Sequence, residues 1–137
     1  MKLVNSITHK GLSIIYSNLS NLDHDIAKST MQSTVGVITE MPLKSVYSLI
    51  NMEGLVLSRD LIAEIKSVGT ANAPFVKATA ICGLSPMASF LANSVIKVTK
   101  RNARLFKTPE EGKDWLYQES LKPNPGEQLP NRQLVVV

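Results

Sequence analysis

Apolar and polar residues alternate along this chain with a period that changes several times. The short runs Val4–Thr8 and Leu12–Tyr16 flank Gly11, which predicts a β-hairpin whose glycine takes the positive φ angle of the turn. Beyond the hairpin, segments with apolar residues every three or four positions are followed by compact apolar runs, three times in succession. The pattern therefore predicts a hairpin followed by alternating helices and strands.

Four helices are predicted from polar side chains that are suited to cap a first turn. The fourth has the fullest signal, because Thr108 and Glu111 have the spacing of a capping box around Pro109. We expect the second helix to end at Gly69, since glycine is common at helix ends. The four capping residues, in chain order, are Asp23, Ser58, Ser85 and Thr108.

Strands that alternate with helices of this length predict an α/β fold. The expected architecture is a mostly parallel sheet with right-handed crossovers and helices on both faces, to which the hairpin adds one antiparallel strand. Residues 1–118 form one domain in this interpretation. Residues 119–137 form an extended or flexible tail, because its prolines and glycine interrupt a helix. The predicted strands after the hairpin are Val46–Ile50, Ala78–Cys82 and Ala103–Phe106.

The third helix is apolar on two sides, one with larger and one with smaller residues. We expect the larger residues to face the core and the smaller ones to contact a second copy in a homodimer, with packing inside the domain as the alternative. The predicted core face is Met87, Phe90, Leu91, Val95 and Val98, and the predicted dimer surface is Ala88, Ala92 and Ile96.

Composition describes an ordinary globular domain with a basic balance. The 137 residues are 44% hydrophobic and 19% charged, with a net charge of +4, but only 5% are aromatic. Proteins that bind single-stranded nucleic acid combine basic grooves with aromatic platforms, so a nucleic-acid partner is not expected. A basic cluster near the end of the third helix either offsets the helix dipole or contacts an anionic membrane or nucleic acid. It consists of Lys97, Lys100, Arg101 and Arg104.

The sequence also predicts where the protein is found. No apolar stretch approaches the roughly 18 residues of a membrane span, and no apolar signal-peptide region develops after Met1. The single cysteine, Cys82, has no partner for an internal disulfide. These features predict a cytoplasmic protein.

Residues for chemistry are scarce. The only histidines are His9 and His24, so we expect no metal site, no cofactor and no catalytic centre. Cys82 ends a strand of small residues, which favours a buried and unreactive thiol in the core over a role as a nucleophile. Glu110 and Glu111 are adjacent carboxylates, yet capping and the helix dipole account for both.

Two segments resemble a known family. The run Lys77–Ser85 is similar to a strand and turn of the SpoIIAA-like, STAS-domain proteins, and Arg104–Leu116 is similar to their closing strand and helix. The resemblance extends over roughly Leu12 to Leu116. It implies a STAS fold without catalytic machinery and a regulatory or ligand-sensing role, with homodimers and lipid-like ligands as features of relatives.

The resemblance also implies a position for regulation. Bacterial anti-sigma antagonists of the wider STAS class use a phosphorylatable serine at a helix start, after an Asp-Ser-Ser-Gly-like turn. The corresponding run here is Leu55–Asp60, which makes Ser58 the candidate phosphosite, although the Asp-Ser-Ser-Gly pattern itself is missing. The turn with Gly83 and Ser85 is a candidate ligand or anion site, because it joins a strand end to a helix N-terminus.

The leading functional hypothesis is a bacterial STAS-like regulatory or interaction domain that acts by contact with another protein or with itself. The alternative is a carrier or sensor of a small apolar, lipid-like ligand, because STAS-like folds share their layering with CRAL-TRIO lipid-transfer domains. The two hypotheses differ in what occupies the molecule. A carrier holds a ligand between its layers, whereas an interaction domain presents a surface.

Overall fold

The computed structural model describes residues 3–123, which form five strands and four α-helices. The nine elements alternate as predicted, and a short 3₁₀ turn, Ala73–Phe75, joins the second helix to the fourth strand. In chain order they are β1 (Val4–His9), β2 (Leu12–Asn18), α1 (His24–Ile38), β3 (Val46–Asn51), α2 (Arg59–Asn72), β4 (Val76–Cys82), α3 (Pro86–Thr99), β5 (Ala103–Phe106) and α4 (Pro109–Ser120).

The strands form a single sheet in the order β1-β2-β3-β4-β5. The β1–β2 pair is antiparallel and every later pair is parallel. Lys10 and Gly11 both have positive φ angles, 52° and 84°, as the two-residue turn of a twisted hairpin requires. The predicted mixed sheet and its antiparallel hairpin are therefore confirmed.

Apolar side chains are buried on both faces of the sheet. On one face, Ile14 and Ala80 pack with Leu116 of α4. On the other, Ile50 and Ile81 pack with α1 and α2, in a cluster centred on Leu19, Ala27, Met31, Met52 and Leu61. Because side chains alternate along a strand, neighbouring residues such as Ala80 and Ile81 serve opposite cores. Helices cover both faces, as predicted.

The predicted end of α2 at Gly69 is wrong. The helix continues to Asn72, and the Arg101 guanidinium lies 2.8 Å from the position that a Gly69 Cβ would occupy. The glycine therefore leaves space for the side chain of Arg101, which lies in the loop after α3. A helix interior tolerates glycine at a cost of roughly 1 kcal/mol, so the residue does not have to end the helix.

The fourth helix extends past the predicted domain boundary at residue 118. Glu119 is buried in the last turn of α4, where its carboxylate accepts hydrogen bonds from Asn102 at 2.8 Å and from Lys122 at 2.6 Å. Burial opposes the charge of Glu119, but these donors lower its pKa overall. Residues 119 and 120 thus belong to the domain. The rest of the predicted tail, from residue 124 onward, lies outside the described residues.

Candidate functional site

The carboxyl ends of the parallel strands lie at one edge of the sheet. Asn18, Asn51, Cys82 and Phe106 pair in register across this edge. In sheets of this kind, ligands favour the crevice beyond the strand ends. The loops that leave this edge after β3 and β4 contain Ser58, Gly83 and Ser85. The fold therefore brings the candidate phosphosite and the candidate anion turn to the same end of the molecule.

Ser58 caps α2. Its Oγ accepts a hydrogen bond from the Leu61 amide at 3.0 Å, and the side chain is half-buried. This contact satisfies one of the amides that a helix leaves unpaired at its start, which stabilises the helix by about 1 kcal/mol. Ser58 therefore lies at the N-terminus of α2 as expected, and its modification stays a prediction.

The turn after β4 is closely packed. Gly83 has a φ angle of 85° and donates its amide to the Phe106 carbonyl at 3.2 Å, while Ser85 accepts from the Ala88 amide at 3.2 Å. The Glu53 amide nitrogen lies 2.7 Å from where a Gly83 Cβ would be. These contacts give both residues structural roles. Anion binding at this turn stays a prediction.

Cys82 lies inside the core that α4 covers. Its side chain is 1% exposed, and burial raises the pKa of the thiol to about 11, with smaller effects from the carboxylates of Glu110 and Glu53. The protonated thiol is a poor nucleophile. Neither histidine is near it in the contacts they form, since His9 pairs with Asp114 and His24 with residues of α1 and α2.

Acidic, histidine and cysteine side chains do not cluster as metal ligands would. Across residues 3–123, no group of three or more such residues is positioned to hold a metal ion. Within the same range, each helix is too short or too polar to cross a bilayer.

The basic cluster predicted near the end of α3 is divided by the fold. Arg101 is half-buried and reaches α2, where its guanidinium donates to the Thr70 hydroxyl at 3.3 Å. Lys97, Lys100 and Arg104 are exposed. Arg101 thus links the loop after α3 to α2, while Lys97 and Lys100 make the end of α3 electropositive.

The predicted orientation of α3 is wrong. Met87 is 76% exposed, Phe90 72% and Val98 80%, and Leu91 is exposed as well. We call these four residues the outer face of α3. Only Val95 of the predicted core residues is half-buried.

The small residues of α3 lie on the side with less solvent exposure. The residues predicted as a dimer surface, Ala88, Ala92 and Ile96, are all half-buried. α3 packs mainly on β5, the short edge strand, and small side chains let a helix lie close to it. Because both stripes of α3 are apolar, the helical periodicity of the sequence does not show which stripe faces the sheet. The difference in side-chain size was visible in the sequence, but it was assigned the wrong way round.

A groove runs beside the outer face, between α3 and α2. Its volume is about 280 Å³. Val56, in the loop before α2, is 81% exposed and lies on its rim, which the sequence did not indicate. The groove is lined mostly by apolar side chains, together with Ser85: Leu55, Val56, Leu57, Ile62, Met87, Ala88 and Leu91.

Comparison with known proteins supports the fold. No family model matches the sequence, and no curated protein matches it either. Among solved structures, the chain is similar to an uncharacterized protein of the DUF3478 family from Shewanella loihica PV-4, described as having a SpoIIAA-like fold. The TM-score is 0.66 at 15% sequence identity, over 82% of this chain and 91% of the other. The resemblance to SpoIIAA-like proteins is confirmed at the level of the fold.

Proposed function

We propose that this chain is a non-catalytic regulatory domain that acts by binding a protein through the outer face of α3. The observation that carries the proposal is the exposure of Met87, Phe90 and Val98 on a single helix. Large apolar side chains that are exposed side by side mark interaction surfaces more often than isolated ones do. Val56 and the α2–α3 groove extend the same surface.

The spacing on α3 suits this role. The outer face occupies positions i, i+3, i+4 and i+11 from Met87, so its side chains project from one side of the helix. Ser94, at i+7, is exposed on the same side. The outer face itself therefore carries no charge, and a partner would bury it without leaving an ion unpaired.

A site-specific crosslink tests the protein contact. A photoreactive amino acid at Phe90 is expected to give adducts of discrete mass with a protein in the native cell, whereas the same residue at Val37 is expected to give none. Val37 is the matched control, because it is an exposed apolar residue on α1. Absence of adducts from positions 87, 90 and 98 alike would reject the proposal.

Pairing of two copies is one form that this contact would take. Sedimentation of the purified protein at micromolar concentration separates a dimer from a monomer. The double variant Met87→Ser with Phe90→Ser is expected to dissociate a dimer formed through the outer face, and Val37→Ser is expected to leave it intact. A strict monomer rejects self-pairing but leaves a contact with a different protein in place.

Modification of Ser58 would regulate the same end of the molecule. Its neighbours Leu57 and Ile62 line the groove, so a phosphate on Ser58 would place charge beside an apolar surface. The helix N-terminus favours that charge, so the fold would tolerate it. Intact-mass measurement on protein from its native cells tests this proposal, and a chain without phosphate under every growth condition counts against it.

A carrier of a small apolar ligand is the second candidate, favoured by the apolar lining of the groove. Its volume of about 280 Å³ is close to the lower end, roughly 300 Å³, of pockets that hold small molecules. Native mass spectrometry distinguishes the two functions. A lipid-sized adduct that is lost in the variant Leu91→Ser would favour the carrier. A mass equal to that of the protein without any ligand would favour the interaction domain.

A further inference from the structure

The stretch of chain that carries the outer face has charges of one sign. Between Glu64 and Glu110 the chain contains no acidic residue. This interval covers the end of α2 and all of β4, α3 and β5. Its basic residues are Lys66, Lys77, Lys97, Lys100, Arg101, Arg104 and Lys107.

The acidic residue at the start of α2 does not offset this charge, because it is paired elsewhere. Asp60 accepts from His24 at 2.8 Å and lies 3.5 Å from the Lys28 ammonium, so it points toward α1. Lys66 follows the groove residue Ile62 by four positions and therefore lies on the α3 side of α2. Lys97 precedes Val98 on α3 and is exposed. Cations thus stand on both sides of the outer face and its groove.

From this arrangement we infer that the partner is an acidic amphipathic segment of another protein, an inference that rests on the proposed function. Apolar side chains of such a segment would enter the groove between α2 and α3, as a helix does when it binds in a groove. Acidic side chains at its edges would meet Lys66 on one side and Lys97 on the other.

A second copy of the chain and an anionic bilayer fit the outer face and its groove less well. A second copy bound about a two-fold axis would place the same cations, Lys66 and Lys97, on both sides of the contact. An anionic bilayer would satisfy the cations, but a plane does not fill a groove, and the exposed cations Lys97 and Lys100 lie toward one end of α3. An acidic segment satisfies both the charge and the shape.

Two synthetic helical peptides of equal length test the inference. Both carry leucine and phenylalanine on one face, and the opposite face carries glutamate in one peptide and lysine in the other. Fluorescence anisotropy at low salt is expected to show the acidic peptide binding at least about tenfold more tightly, with the advantage shrinking as salt is added.

Variants separate charge from apolar contact. The double change Lys66→Glu with Lys97→Glu is expected to remove or reverse the preference for the acidic peptide. Lys44→Glu, a charge reversal at an exposed position before β3, is expected to leave it unchanged. Phe90→Ser is expected to abolish binding of both peptides, because it removes the apolar contact on which the proposed function depends.

Each failure has its own signature. Equal binding of the two peptides, or no binding of either, would overturn the inferred acidic partner. Stronger binding to vesicles of phosphatidylserine and phosphatidylcholine than to the acidic peptide would overturn it in favour of a bilayer. Acidic-peptide binding that Phe90→Ser leaves intact would instead contradict the proposed function, because the contact would then bypass the outer face.

Discussion

Burial sets the chemistry of Cys82. The thiol lies at the end of β4, and its raised pKa of about 11 keeps it protonated at neutral pH. Because the thiolate is the reactive form, we expect a thiol reagent to modify Cys82 rapidly in denaturant and only very slowly in the native protein. Rapid modification of the native protein would contradict this expectation and would reopen a catalytic role.

The same shift makes stability depend on alkaline pH. An unfolded chain loses the thiol proton near the ordinary pKa of 9.0, whereas the folded chain keeps it to about 11. The free energy of unfolding therefore falls as pH rises between these values, by about 3 kcal/mol at most. Denaturation in alkaline buffers measures the slope. Cys82→Ala is expected to lack this contribution, and an unchanged slope in that variant would refute the assignment.

Gly83 is required by its backbone and by its neighbour. A side chain at φ 85° is strained, and its Cβ would lie 2.7 Å from the Glu53 amide nitrogen. We expect Gly83→Ala to lower the free energy of unfolding by about 1–3 kcal/mol, measured by urea denaturation. Gly36→Ala is the control. That glycine lies in α1 with open space around it, so alanine is expected to stabilise by about 0.5–1 kcal/mol.

At the scale of elements, the sequence predicted helix starts and turns best where one short motif is sufficient to specify them. Thr108 and Glu111 form the capping box as expected, and the Lys10–Gly11 turn closes the hairpin. The predicted helix end at Gly69 was wrong because a tertiary contact, and not a helix end, accounts for the glycine. Arg101, thirty-two positions later, needs the space that the glycine leaves, and no local pattern contains that information.

The orientation of α3 defined the candidate site, and sequence reasoning reversed it. Hydropathy places Met87 and Phe90 in a core, which is the usual outcome for large apolar residues. β5 is an edge strand of four residues and has little surface to cover such a face, and the residues of α3 that are half-buried there include Ala88 and Ala92. Side-chain size and the position of a helix at a sheet edge therefore carry more weight than hydropathy alone.

α1 and α2 are linked by a pH-sensitive contact. The hydrogen bond that the His24 ring donates to Asp25 raises the pKa of His24 above 6.5, and Asp60 of α2 adds to the effect against an opposing contribution from burial. The charged imidazole therefore favours the folded state below pH 6.5, and this stabilisation is lost as pH rises through the raised pKa.

Proton NMR titration of His24 tests this link. We expect its pKa to lie above 6.5 in the wild-type protein and to move back toward that value in Asp25→Asn and in Asp60→Asn. A pKa at or below 6.5 in the wild-type protein would show that the two carboxylates do not act on the ring in solution.

Across the whole molecule, burial is distributed unevenly among the helices. α4 buries Gly112, Leu116 and Glu119 against the centre of the sheet, whereas α3 buries no side chain fully and lies over the edge strand. Four exposed apolar side chains thus lie on a helix that has no fully buried residue. This combination suits a binding element, because a partner would supply the packing that the domain lacks.

Native-state hydrogen exchange tests that distribution. Amides of α3 are expected to exchange through openings of lower free energy than amides of β3, β4 and α4, because few buried contacts hold the helix in place. Binding of the acidic peptide is expected to slow exchange in α3 specifically, since the peptide stabilises the closed form by mass action. If α3 instead exchanges together with β4 in the free protein, its anchoring is as strong as that of the core, and the exposed face would need an explanation other than an incomplete interface.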